Sequence, residues 1–129
     1  MLKILLIDDD KINNFLNRSV IGELYGSDCS VTEYTNPEKA YDFLKSCSET
    51  EIENTPDVIL LDINMPEMSG FELLEKMQEE NIILLNTKIF ILSSSLDPTD
   101  IERSIQFKSV VTFISKPLNS SKLKQHLSS

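Results

Sequence analysis

At 129 residues, with 40% hydrophobic and 26% charged side chains, the chain has the size and composition of one globular domain able to bury its own core. Its formal net charge of −9 argues against binding nucleic-acid backbone and against electrostatic attachment to anionic lipid. No apolar run approaches the ~20 residues of a membrane span, no secretory leader follows Met1, and Cys29 and Cys47 form no metal or redox spacing, so the expectation is a soluble, cytoplasmic, single domain over residues 1–129.

The first apolar run, Ile4–Ile7, is short and continuous, as suits a strand covered on both faces. Asp8, Asp9 and Asp10 follow it, with Asp10 placed to cap a helix. Ile12, Phe15, Leu16, Val20 and Leu24 then recur at helical spacing, which predicts a first helix with these side chains turned to the core. Ser30–Thr35 alternates and is β-branched, as an edge strand does. In the next helix Asn36 caps, Pro37 fits the first position, and Ala40, Phe43, Leu44 and Cys47 face inward. Ser48–Pro56 reads as a solvated acidic loop.

Val58–Leu61 predicts a central strand running straight into Asp62. A third helix starts just after Gly70, marked by Phe71, Leu74 and Met77, while Met65 and Met68 read as loop packing. Ile89–Leu92 is the next strand and ends at Ser93, with Ser94 and Ser95 behind it. Asp97 and Pro98 open a fourth helix with Ile101 and Ile105 expected inside. Val110–Ile114 is the last strand, followed by Ser115, Lys116 and Pro117, and Leu123 and Leu127 stripe a short final helix whose His126 is expected at the surface.

Five alternations of strand and helix predict an α/β parallel sheet with helices on both faces and right-handed crossovers. In such a sheet ligands gather outside the carboxyl ends of the strands. Singly, an Asp, Ser or Lys-Pro after a strand is an ordinary turn residue. Together, Asp8, Asp9, Asp62, Ser93 and Lys116 would place carboxylates, a hydroxyl and an ammonium on one edge. Adjacent carboxylates repel unless a cation compensates, and a hard divalent ion such as Mg²⁺ suits a site with two or three protein oxygens. Positive potential from the ion and Lys116 favours a phosphoryl group, which a carboxylate can carry as an aspartyl phosphate.

The runs "LLIDDD", "LLDINMPEMSG", "FILSSS" and "FISKP", in this order, resemble the receiver domains of two-component response regulators, and the resemblance covers the whole chain. It implies a flavodoxin-like, doubly wound (βα)5 fold with a five-stranded parallel sheet of order 2-1-3-4-5. It implies that Asp62 is the phosphoacceptor, that Asp9 binds Mg²⁺ directly with Asp8 acting through water, and that Asn64 offers its backbone carbonyl. Ser93 matches the switch hydroxyl, Phe113 the switch aromatic and Lys116 the lysine; Pro117 would follow a cis peptide. Ser93 stands where Thr is more frequent and Phe113 where Tyr is.

The implied function is that of a stand-alone, chemotaxis-type regulator. A sensor histidine kinase or histidine phosphotransfer protein would be its donor, and a protein target or onward relay its output. It would catalyse only its own phosphorylation and dephosphorylation. A phosphorylation-independent pseudo-receiver is the alternative. A haloacid-dehalogenase-type phosphatase wants a second acid where Asn64 stands, and the three aspartates of "DDDKIN" would repel the phosphate of a flavodoxin's FMN.

Overall fold

The computed structural model describes residues 1–50, 52–94 and 97–127; Glu51 of the acidic loop, Ser95 behind the fourth strand, Leu96, Ser128 and Ser129 lie outside the described residues. The elements alternate as β1 (Leu2–Ile7), α1 (Lys11–Tyr25), β2 (Cys29–Tyr34), α2 (Pro37–Glu49), β3 (Val58–Asp62), α3 (Gly70–Glu79), β4 (Lys88–Ser93), α4 (Pro98–Ile105), β5 (Val110–Ser115) and α5 (Ser120–Leu127). All strands are parallel, in the order β2-β1-β3-β4-β5. The weaker strand signal at Ser30–Thr35 is the edge strand β2.

Parallel strands with helices on both faces bury alternate residues in opposite directions. Leu5, Ile7, Ile59, Leu61, Ile89 and Ile91 meet Leu44 of α2 and Phe71 and Leu74 of α3. Ile4, Leu6, Leu60, Phe90, Leu92 and Ile114 meet Ile21 of α1 and Leu123 of α5. Every residue of β3 is buried, which explains why its sequence shows no alternation.

Helix entries follow local chemistry. The Asn36 side chain accepts from the Glu38 and Lys39 N–H groups, with Pro37 at the first helical position. Asp97 accepts from Thr99 N ahead of Pro98. Ser69 and Glu72 form a reciprocal capping box that starts α3.

Three expectations are corrected. The stripe on α1 does not face the core throughout: Ile12, Phe15 and Leu16 are 68%, 67% and 54% exposed, and the helix buries Asn14, Asn17 and Ile21 instead. Only Val20 and Leu24, in its second half, pack on the core. The rotation has a local cause, because Asn14 Nδ2 donates to the Asp8 carbonyl at 2.9 Å and draws a polar face toward the strand end. On α4, Ile105 is exposed and Ser104 is buried, its hydroxyl donating to the Ile101 carbonyl at 2.7 Å. His126 is half-buried rather than exposed, its ring 5.9 Å from that of Phe90.

Candidate functional site

Because the strands are parallel, their carboxyl ends share one edge of the sheet. β1 delivers Asp8 and Asp9 there, β3 ends on Asp62, β4 on Ser93, and Lys116 follows β5. Asp8 and Asp62 are each only 4% exposed, whereas Asp9 is open to solvent. One carboxylate oxygen from each of Asp8, Asp9 and Asp62 lies within 4.8 Å of the others. Lys116 Nζ bridges the two buried acids, 3.2 Å from Asp8 Oδ2 and 3.3 Å from Asp62 Oδ1. Three carboxylates against one ammonium leave the cluster short of positive charge. Its donors are all oxygen, which fits a hard divalent cation such as Mg²⁺ and not a soft metal.

The backbone holds these side chains in place. Asp8 Oδ1 accepts from Asp10 N at 2.9 Å, and Asp10 in turn caps α1 through Ile12 N at 2.9 Å. Asp10 is thus a helix cap, and the acidic cluster is built from Asp8, Asp9 and Asp62 without it. Lys116 N donates to the Ser93 carbonyl at 2.9 Å, and the Lys116–Pro117 peptide is cis. Lys122, reaching back from α5, donates to the Ser115 and Pro117 carbonyls at 3.1 Å each and so braces the loop that carries Lys116.

Burial, and then the neighbouring Asp8 carboxylate, push Asp62 above the ordinary carboxylate range, while Lys116 and the Asn64 backbone N–H pull it back. For Lys116 burial alone would lower the ammonium's pKa. Asp62 and Asp8 outweigh it and the net direction is up, so Lys116 is a cation at neutral pH.

The remaining expected residues are Ser93, Phe113 and Asn64. Ser93 is fully buried at the end of β4, one position past the Asp62↔Leu92 pair. Phe113 is half-buried on β5 and packs on the core that lies against α2 and α3. The Asn64 side chain is exposed, and its backbone N–H reaches the Asp62 carboxylate.

Sequence reading missed two supports. A Cβ on Gly70 would stand 2.6 Å from the Asp62 carbonyl oxygen, so only glycine lets α3 begin against the acid-bearing backbone. Its signal was the capping box around "SGFE". The Asn14 contact to Asp8 carried no such signal, because Asn14 sits on an apparently amphipathic helix.

The response regulator receiver domain model matches residues 4–128. The chain belongs to that family. The receiver is 32% identical over 127 residues to the transcriptional regulatory protein DcuR of Escherichia coli, a match covering 98% of this chain and 49% of that protein. It is 33% identical over 135 residues to the two-component response regulator ARR17 of Arabidopsis thaliana, covering 98% of this chain and 84% of that one. A two-component response regulator from Cytophaga hutchinsonii superposes with a TM-score of 0.86 at 30% identity, covering 98% of this chain and 93% of that chain. The receiver thus spans about half the length of the DcuR proteins that it matches. Receiver domains are regulatory modules of two-component signalling, and the observed strand order is the one the resemblance implies. Among the described residues no helix is long and apolar enough to cross a membrane.

Proposed function

We propose that this receiver takes a phosphoryl group from a phosphohistidine of a sensor histidine kinase or histidine phosphotransfer protein onto Asp62. The observation that carries the reading is Asp62 itself: a buried carboxylate facing Lys116 at 3.3 Å, within 4.8 Å of Asp8 and Asp9. The P–N bond of the donor breaks as a P–O bond forms to an Asp62 oxygen, and no proton need move onto the acceptor. Lys116 supplies a fixed ammonium for one phosphoryl oxygen, and the Asn64 N–H orients the accepting carboxylate.

Asp8, Asp9, Asp62 and the Asn64 carbonyl are the groups that would hold Mg²⁺, which when bound offsets the charge of the carboxylates and of the incoming phosphoryl group. Ser93 is proposed to bond a phosphoryl oxygen, and Phe113 to shift inward with it, coupling Asp62 to the face around α4, β5 and α5. The output is then altered binding to a protein target or onward relay of the phosphoryl group. Its sole catalysis would be its own phosphorylation and dephosphorylation.

The exposed trio Ile12, Phe15 and Leu16 begins four residues past Asp8. We assign the trio to donor docking, as an exposed apolar surface that follows the acidic turn in the chain.

Intact-mass analysis after exposure to a small phosphodonor with Mg²⁺ tests the reading. The expected gain is one phosphoryl group, lost with EDTA and in Asp62→Asn. A gain that persists in that variant would move the acceptor elsewhere, and no gain in the parent would favour the pseudo-receiver.

A further inference from the structure

The opposite edge of the sheet, at the amino ends of the strands, carries a second apolar feature that the phosphorylation chemistry does not use. Between α3 and β4 the chain runs from Glu80 through "NIILLNT", residues 81–87, a stretch with no charged side chain of its own. Ile82 is buried, but Ile83 is 66% and Leu85 90% exposed. Leu85 borders a groove of about 550 Å³ whose other walls include Met77, Ile82, Ile89, Phe107 and Val111. Exposed leucines are ordinary when scattered, but a leucine standing beside an apolar groove marks an interaction surface.

We infer that this surface pairs two copies of the chain, the Leu85 ridge of each seated in the groove of the other. Three observations favour a second copy over an unrelated partner. First, ridge and groove lie on one patch, the self-complementary arrangement that a two-fold contact requires. Second, the chain bears a net charge of −9, yet among the described residues lining the groove none is acidic, and Lys108 is its one charged group. A second acidic copy meets least repulsion where the groove it enters presents no carboxylate. Third, β5 is an edge strand whose ladder breaks here: Ile89 pairs with Val110 and Phe90 with Thr112, leaving Val111 unpaired. A bulged edge is poorly suited to adding a strand, so contact through side chains is the available mode.

Sedimentation equilibrium of the full chain, without phosphodonor, tests the inference separately from Asp62 chemistry. The expected result is a monomer–dimer equilibrium that tightens between about 0.05 M and about 0.5 M NaCl, because salt screens the repulsion of the acidic remainder. Leu85→Asp and Val111→Lys should each give a monomer at concentrations where the parent is dimeric. An equimolar mixture of the two variants should recover dimer, since the carboxylate added to one chain then meets the ammonium added to the groove of the other. Circular dichroism identical to the parent's shows that both variants fold, as their exposure leads one to expect. A parent that stays monomeric at both salt concentrations overturns the inference. So does a dimer indifferent to Leu85→Asp, or a mixture that fails to reassociate.

Discussion

Ionising Asp62 carries a cost, and the cost has a measurable sign. Its pKa lies above the ordinary value of 3.8, chiefly through burial and then through Asp8. The folded chain therefore keeps the Asp62 proton to a higher pH than the unfolded chain does. Within that window the folded state binds more protons, so this group's contribution to stability falls as pH rises and is least favourable above the raised value. Asp62→Asn should raise the melting temperature at neutral pH by a few degrees, with the gain vanishing below the ordinary carboxylate range. Thermal denaturation of parent and variant across that range checks it, and a pH-independent difference would contradict it. Lys116 carries the opposite sign. Its raised pKa means that its stabilisation is present below the unfolded-state value and is lost only as pH rises past it. Lys116→Met removes the one cation between Asp8 and Asp62 and should cost about 1.5–3 kcal/mol at neutral pH by chemical denaturation. Asp62→Asn should suppress much of that loss, because the two residues act on one another.

Helices α1 and α3 put the acidic edge together from two sides, by different means. α3 starts on Gly70, whose N–H donates to the Ile63 carbonyl at 3.1 Å and whose missing Cβ admits the Asp62 backbone. Gly70→Ala must push that backbone aside, with an expected loss of about 1–3 kcal/mol. Phosphoryl uptake at Asp62 should fall along with the melting temperature; a normal uptake rate in a destabilised Gly70→Ala chain would show that the two are separable. On α1 the division runs along the helix. Ile21→Ala should cost about 2–5 kcal/mol, as at any filled core position, whereas Phe15→Ser should change stability by no more than about 0.5 kcal/mol and slow only transfer from a protein donor. Equilibrium unfolding, and uptake from protein and small-molecule donors side by side, distinguish the two. α1 also shows where the sequence stops being readable. Short apolar runs located four of the strands because burial on both faces leaves no other composition; the residue after a run located Asp8, Asp62 and Ser93, and the second residue after the last run located Lys116. Helical periodicity, by contrast, cannot tell a core stripe from a docking stripe, since both are apolar at the same spacing. The face of α1 follows a side-chain hydrogen bond back to the turn before the helix, from Asn14 to the Asp8 carbonyl, which apolar periodicity does not announce. Ser104 and Ile105 of α4 repeat the lesson on a shorter helix.

At the scale of the whole molecule, the acidic cluster and the Leu85 groove lie at opposite ends of one sheet. Parallel strands make this possible, because all their carboxyl ends point one way and all their amino ends the other. The carboxyl edge gathers Asp8, Asp9 and Asp62 around Lys116, an excess of anions inside a chain whose net charge is already −9. Folding assembles that excess, so a cation that binds only the assembled cluster must stabilise the fold by mass action. With Mg²⁺ at about ten times its dissociation constant the gain is about 1.4 kcal/mol, a few degrees in melting temperature. The comparison has to be made at matched ionic strength, since added salt also relieves the general repulsion among surface acids. Asp9→Asn removes the solvent-facing oxygen of the cluster while leaving the buried Asp8–Lys116–Asp62 arrangement intact. That variant should fold normally and lose most of the Mg²⁺-dependent rise, whereas Glu102→Gln, an exposed acid on α4, should retain it in full. An equal rise in all three chains would mean that the ion answers to diffuse negative charge, and that the three carboxylates were not gathered for a metal.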